Sequence, residues 1–252
     1  MKRTLLIASK NIGKIREIKA ILSPLEIEIL SPHDLNLDFK VIESGSTYAE
    51  NARIKAQAYL SATALAVLAD DSGLEVDRLG GAPGIHSARY SPQPGADDAD
   101  RRAYLLSQLE GRRQPWKAHF HCSAVLALPN GKWIETMGIC KGIIIPEERG
   151  SGGFGYDPIF FLPEYNATMA ELLPEVKNQI SHRAKAIQAM LPKIQNEWLA
   201  RESSSPLVAV YPFRFKAVHR LRRGCGIANR HQRHGTNILG HRQQGLHAKH
   251  PF

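Results

Sequence analysis

The chain has 252 residues, little cysteine, no long apolar run and, between residues 203 and 252, not one acidic side chain. Its three cysteines, Cys122, Cys140 and Cys225, are odd in number and lack zinc-ligand spacing. A disulfide framework and a structural zinc site are therefore excluded, and a reducing compartment is expected. No stretch of 18 apolar residues occurs, and the basic start leads into an apolar run of only five residues, too short for a secretory signal. The expectation is a soluble, cytoplasmic protein with no membrane partner. Neither an internal repeat nor a low-complexity array is visible.

What is abundant is positive charge, but it is unevenly placed. Nine of the 33 Lys and Arg residues lie in residues 203–252, so the rest of the chain holds 24 basic and 24 acidic side chains. The whole formal charge of +9 therefore belongs to the tail, together with six of the eleven histidines. Beyond Pro206-Leu207-Val208-Ala209-Val210 the tail shows neither a helical nor a strand period. We divide the chain into a domain at 1–202 and a basic, His-rich tail at 203–252, read as disordered. A fusion or reading-frame artefact would give the same abrupt change. With 43% hydrophobic residues the body can bury a substantial core.

Periodicity orders the body. Residues 4–8 form a short apolar strand, after which Ile15, Ile18, Ile21 and Leu22 share a helical face until Ser23-Pro24. Residues 25–30 alternate as a second strand. Thr47 and Glu50 have capping-box spacing ahead of a helix running to about Leu65, and Ala66-Val67-Leu68-Ala69 is a short strand ending at the acidic pair. Ala118, Phe120, Cys122, Ala124, Leu126 and Leu128 occupy alternate positions before Asn130-Gly131, which predicts a hairpin. A last helix starts at Ser181 as N-cap, with Pro192 expected to kink or end it before a piece reaching Trp198.

Five stretches carry chemistry. Asp70-Asp71-Ser72-Gly73, placed at a strand end, presents hard oxygen ligands of the kind Mg²⁺ takes in ones and twos beside phosphate. Ser9-Lys10-Asn11-Ile12-Gly13-Lys14 lies in a strand-to-helix turn, where free N–H groups and the helix dipole favour phosphate; it lacks Walker spacing. Glu43 and Lys55 become candidates because the acidic pair needs a third oxygen and a triphosphate needs cations. In Gly150-Ser151-Gly152-Gly153-Phe154-Gly155-Tyr156-Asp157-Pro158 the glycines allow close backbone approach, and Phe154 or Tyr156 could stack on a base. Lys177 and Ser181-His182-Arg183 bring a cation and two donors to a helix start.

In order and content these stretches resemble the inosine triphosphate pyrophosphatase, or Ham1-like, family. The match runs over residues 4–198 and includes Gly80-Gly81-Ala82-Pro83-Gly84 and Ser87-Ala88-Arg89 besides the motifs above. The resemblance implies an elongated, two-lobed α/β protein, its mixed sheet flanked by helices and its substrate cleft central, commonly a homodimer. It also implies Mg²⁺-dependent hydrolysis of the non-canonical purine triphosphates ITP, dITP and XTP to the monophosphate and pyrophosphate. Under it Ser9, Lys10, Asn11, Ile12, Gly13, Lys14 and Lys55 hold the triphosphate, while Glu43 and Asp71 bind metal. Asp71 is also the proton acceptor, supported by Asp70, and Ser72 contacts substrate.

Phe154 would stack on the purine, with Gly155, Tyr156, Asp157, Lys177, His182 and Arg183 shaping the base and sugar pocket. Arg183 would donate to O6, where adenine instead presents a donor; one such mismatch gives roughly tenfold discrimination. GTP also carries O6, so its exclusion falls to contacts at the 2-position. Lys10 departs from a small residue common in the family, and the tail has no counterpart. A Maf-like pyrophosphatase for modified pyrimidine nucleotides is disfavoured by His182-Arg183 and the Gly-Phe-Gly-Tyr-Asp run. A nucleic-acid-binding role for the tail finds few aromatics and no module, leaving weak, salt-sensitive attraction to polyanions and no specific nucleic acid.

Overall fold

The computed structural model describes residues 2–200. The expected tail, 203–252, lies outside the described residues. Strand β1 (Arg3–Ile7) leads into α1 (Ile12–Leu22), then β2 (Ile27–Leu30), α2 (Tyr48–Thr63) and β3 (Ala66–Val76). Helix α3 (Asp98–Leu109) precedes the hairpin β4 (Trp116–Ala127) and β5 (Trp133–Ile144). Two short strands, β6 (Phe160–Leu162) and β7 (Ala167–Thr168), are followed by α4 (Pro174–Ile180) and α5 (His182–Lys193).

These strands form one mixed seven-stranded sheet in the order β2-β1-β3-β4-β5-β6-β7. β1 pairs in parallel with both β2 and β3, and every later pairing is antiparallel. Because successive strand residues face opposite ways, Leu5 and Ile7 pack with Ile18, Leu22, Ile187 and Met190 of α1 and α5. Leu6 and Ala8 instead meet Ala52, Ala56 and Tyr59 of α2. Burial on both faces is why this run reads as continuously apolar. A third cluster, with Leu74, Val76, Leu105, Leu109, Phe120, Tyr156 and Phe160, fills the end of the sheet beneath α3.

Local rules place the helix ends. The Thr47 hydroxyl accepts from the Glu50 N–H at 3.1 Å, but the Glu50 carboxylate turns back to the N–H and hydroxyl of Ser46, so only half of the expected capping box forms. Helix α2 stops at Thr63, with Ala64 in the left-handed region at φ 56°. Ser181 caps α5 by accepting from Ala184 N–H at 3.1 Å. Pro192 does not end the path: it lies one residue from the end of α5, and the chain widens into a π-helical turn, Ile194–Leu199, that keeps Trp198 buried. A missing amide donor shifts the hydrogen-bond ladder without reversing the chain.

One expectation is corrected. The sequence pattern places the acidic pair at a strand end, yet β3 continues to Val76 and pairs with β4 along Val67 to Val76. The physical reason is one-sided termination: β1 pairs with β3 only as far as Leu68, so around Asp70 to Gly73 no strand lies along that edge while β4 stays paired on the other. Further on, Leu74 N–H donates to Ser87 Oγ and Val76 N–H to the Ala82 carbonyl. Helices α3 and α4 were not anticipated.

Candidate active site

The free edge of β3 opens onto a cavity of about 600 Å³, lined by groups from most of the motifs. At one end stand Ser9, Asn11, Lys14, Glu43, Lys55 and Asp71; at the other stand Phe154, Asp157, Lys177, His182 and Arg183. The turn after β1 is built by its own side chains. Ser9 Oγ accepts from the Asn11 N–H at 3.2 Å, and Asn11 Oδ1 caps α1 by accepting from the Lys14 N–H at 3.0 Å. Lys10 lines the cavity but pairs outward with Asp38 at 2.7 Å, and Ile12 is 73% exposed. Gly13 leaves room for the Phe154 ring, since a Cβ there would lie 2.5 Å from Phe154 Cδ1.

Asp70 and Asp71 do not act as a pair, which corrects the reading of a shared metal site. Strand alternation sends them to opposite faces. Asp70 is buried, and its Oδ2 accepts from Lys14 Nζ at 3.0 Å and from Arg183 Nε and Nη2 at 3.1 Å each. Burial raises its pKa, but Lys14 and Arg183 outweigh that and hold the carboxylate well below its usual range. Asp71 faces α2, where its Oδ2 accepts from Asn51 Nδ2 at 3.3 Å and its Oδ1 meets Lys55 Nζ at 3.2 Å. Lys55 Nζ is also 3.2 Å from Glu43 Oε2. Burial disfavours that ammonium, yet Asp71, Asp70 and Glu43 together raise its pKa.

Beneath the other end lies a buried charge network. Glu17 joins Arg183 Nη1 at 2.5 Å to Lys177 Nζ at 2.7 Å, and Lys177 also meets Asp157 Oδ2 at 2.6 Å. Arg183 Nη2 donates further to Ser72 Oγ at 3.0 Å. A guanidinium has five N–H donors, and these contacts engage four, leaving one on Nη1. Lys177 and Arg183 sit 4.9 and 5.6 Å from the centre of the Phe154 ring, within cation–π range. His182 stacks on Phe120, and its Nδ1 is buried with no hydrogen-bond partner among the described residues. Burial, then Arg183 and Lys177, pushes its pKa well below the ordinary value, which favours the uncharged ring.

Burial separates the two aromatic side chains of this loop, Phe154 and Tyr156. Tyr156 is only 4% exposed, lies in the core, and donates to the Ser87 carbonyl at 2.9 Å. Phe154 keeps the more open face. Asp157 accepts from the Phe154 N–H at 2.8 Å, so it shapes the loop from within. Two residues complete the constellation: Asn51, which no motif includes, and Glu17, which belongs to the Ser9-x-Asn11-x-Gly13-Lys14-x-x-Glu17 stretch of the resemblance but carries no assigned role. Asn51, 1% exposed, accepts from Gly45 N–H at 2.8 Å while donating to Asp71, and so ties the Glu43 loop to β3. Glu17 lies on the buried face of α1 with Ile18 and Ile21, and a charge on an apolar stripe was the available signal.

Comparison with known proteins agrees with this geometry. The Ham1 family model matches residues 5–193. A dITP/XTP pyrophosphatase of Geobacillus kaustophilus is 47% identical over 197 residues, covering 78% of this chain and 94% of that protein. One from Geobacter sulfurreducens is 47% identical over 186 residues, 73% of this chain and 92% of that protein. Among solved structures, a HAM1 protein from Coxiella burnetii superposes with a TM-score of 0.69 at 38% identity, over 77% of this chain and 98% of that one. The Staphylococcus aureus Ham1 protein gives 0.68 at 39%, over 77% and 100%. With three quarters of its length matched, and with the sheet and cavity built from the same motifs, this chain belongs to the Ham1 family.

Proposed function

We propose that this protein hydrolyses the non-canonical purine triphosphates ITP, dITP and XTP to the monophosphate and pyrophosphate. The carrying observation is that one cavity of about 600 Å³ joins a phosphate-suited turn and an Asp71-Glu43-Lys55 cluster to an aromatic face backed by His182 and Arg183. The relatives' printed activity, dITP/XTP pyrophosphatase, supports the same reading. The family resemblance also carries a homodimer and a cytoplasmic setting.

In this reading Asp71 takes the proton of the water that attacks the α-phosphorus. The bond from α-phosphorus to the bridging oxygen breaks, and its electron pair leaves with pyrophosphate. Lys55 and Lys14 meet the negative charge of the leaving group. Glu43 and Asp71 would hold Mg²⁺, because both carboxylates already converge on one positive charge, the Lys55 ammonium. No group of three or more His, Cys, Asp or Glu suited to a metal forms among the described residues, so water and phosphate would complete the shell. When bound, the ion supplies charge neutralisation at the phosphate oxygens.

The base end supports selection for O6. Arg183 has one uncommitted N–H, and His182 Nδ1 lacks a protein partner among the described residues. An adenine N6 donor would leave the Arg183 donor unpaired, at about 1–3 kcal/mol. The test is pyrophosphate release from ITP, dITP, XTP, GTP and ATP, with and without Mg²⁺. Release from the first three, dependent on Mg²⁺, is expected. Orthophosphate as product, or equal turnover of ATP, would overturn the proposal.

A further inference from the structure

The glycine-rich loop that presents Phe154 is fastened at both ends by one side chain of α3. Arg102 Nε and Nη2 donate to the two carboxylate oxygens of Glu148 at 2.8 Å each, and its Nη1 donates to the Gly155 carbonyl at 2.8 Å. One turn earlier on the same helix, Asp98 Oδ2 accepts from the Gly155 N–H at 2.7 Å, while its other oxygen pairs with Arg101. Phe154 is held next to it: its N–H donates to Asp157 Oδ2 at 2.8 Å, and its carbonyl accepts from the Asp157 N–H at 3.3 Å. Four consecutive backbone polar groups are thus all satisfied, the two of Gly155 from α3 and the two of Phe154 from Asp157 within the loop.

This matters because the loop is intrinsically loose. Four of the six residues from Gly150 to Gly155 are glycine, and Gly155 sits at φ +64°, in the left-handed region. Glycine loses the most conformational freedom on ordering, so without fixed ends the ring would sample many positions. The Arg102 guanidinium is planar and rigid, with its side chain 12% exposed. Its bidentate pair with Glu148 fixes the orientation of the third donor on Gly155.

We propose that Arg102 is a positioning residue for nucleobase binding: by clamping Glu148 and Gly155 it holds the Phe154 ring where a purine stacks. The inference rests on the proposed nucleotide substrate. Arg102 is not in the cavity wall, so its effect on a ligand runs through the loop, whereas Asp98 and Gly155 do line the cavity. Pre-ordering a binding loop lowers the entropy cost of binding, so the effect belongs on affinity for ligands with a base and not on the phosphate end.

The experiment compares wild type, Arg102→Met, Arg102→Lys and Glu148→Gln. It measures KM and kcat for ITP, and calorimetric binding of inosine monophosphate and of inorganic tripolyphosphate. Arg102→Met removes all three of its hydrogen bonds, but only the one to Gly155 holds the loop beside the ring, and losing that charge-assisted bond should weaken base-dependent binding about tenfold. Arg102→Met is expected to raise the ITP KM and the inosine monophosphate Kd by that factor, with kcat changed less than about twofold and tripolyphosphate binding unchanged. Arg102→Lys should recover part of the loss, and Glu148→Gln, which weakens the bidentate pair from outside the cavity wall, should shift the same two quantities in the same direction if Arg102→Met does not fold.

Unchanged inosine monophosphate binding in the folded variants would overturn the clamp. So would equal weakening of both ligands, because it would assign Arg102 to general stability. A wild-type protein that binds tripolyphosphate but not inosine monophosphate would instead overturn the proposed function, and the clamp's purpose with it.

Discussion

Asp70 and Asp71 are neighbours in the chain with opposite fates, because a strand turns successive side chains to opposite faces. Asp71 stays at the cavity with Asn51 and Lys55, and Asp71→Asn keeps its shape while removing its proton-accepting capacity. ITP turnover should fall by at least about 10²-fold, measured as pyrophosphate release at saturating Mg²⁺; near-normal turnover would end its assignment as base. Asp70 is buried against Lys14 and Arg183, which depress its pKa. A depressed carboxylate stabilises the fold fully above its unfolded pKa of about 3.9 and loses that contribution as pH falls towards the folded value. The stability gap between wild type and Asp70→Asn in denaturant titrations should therefore be wider at pH 7 than at pH 2.5.

Arg183 calls for a different experiment from the one its motif suggests. Its guanidinium holds Asp70, Glu17 and Ser72 as well as facing the cavity. Arg183→Ala strips a buried partner from two carboxylates, and such losses cost about 3–5 kcal/mol. The variant should melt well below wild type, so a fall in rate alone says nothing about base reading. The informative quantity is the ITP-to-ATP ratio of kcat/KM in the folded fraction, which should shrink.

At the scale of elements, α1 and the Phe154 loop meet at Gly13. Alanine favours a helix over glycine by up to about 1 kcal/mol, yet its Cβ would stand 2.5 Å from the Phe154 ring. Gly13→Ala should therefore raise or hold the melting temperature while raising the KM for ITP, an opposition that thermal melting and steady-state kinetics can read directly. Legibility also differed by element. The β4–β5 hairpin was plain in the sequence because alternation and Asn130-Gly131 are local signals, α1 was plain from its apolar face and α5 from its Ser181 cap. Helix α3 escaped notice although Asp97 and Asp100 form a reciprocal capping box, because only Leu105 and Leu109 are buried along it. Helix α4, seven residues starting with Pro174, has Lys177 as its one buried side chain, so no apolar stripe marks it.

At the scale of the whole molecule, the family match ends at residue 193 and the excess charge begins after 202. We propose that residues 203–252 are dispensable for catalysis. A chain truncated after Glu202, with 24 basic and 24 acidic residues, should keep its melting temperature and its turnover of ITP. Any DNA binding of the full chain should weaken sharply in it, along with the salt dependence, since nine cations are gone. Melting, turnover and DNA binding at two salt concentrations check this; aggregation or lost turnover would move the boundary.

The sequence by itself determined the strand and helix periods, the ordered motifs and, through them, the family. Those are properties of residues a few positions apart, where pleat, helical repeat and turn chemistry act directly. Only the tertiary structure decided that Asp70 serves Arg183, 113 positions away, while Asp71 serves Lys55, and that Glu17 and Asp157 share Lys177. It alone put Arg102 across the ends of the Phe154 loop. No local period encodes such pairings. They arise because closing the sheet and docking α1, α3 and α5 bury charges that must find partners wherever the fold brings them.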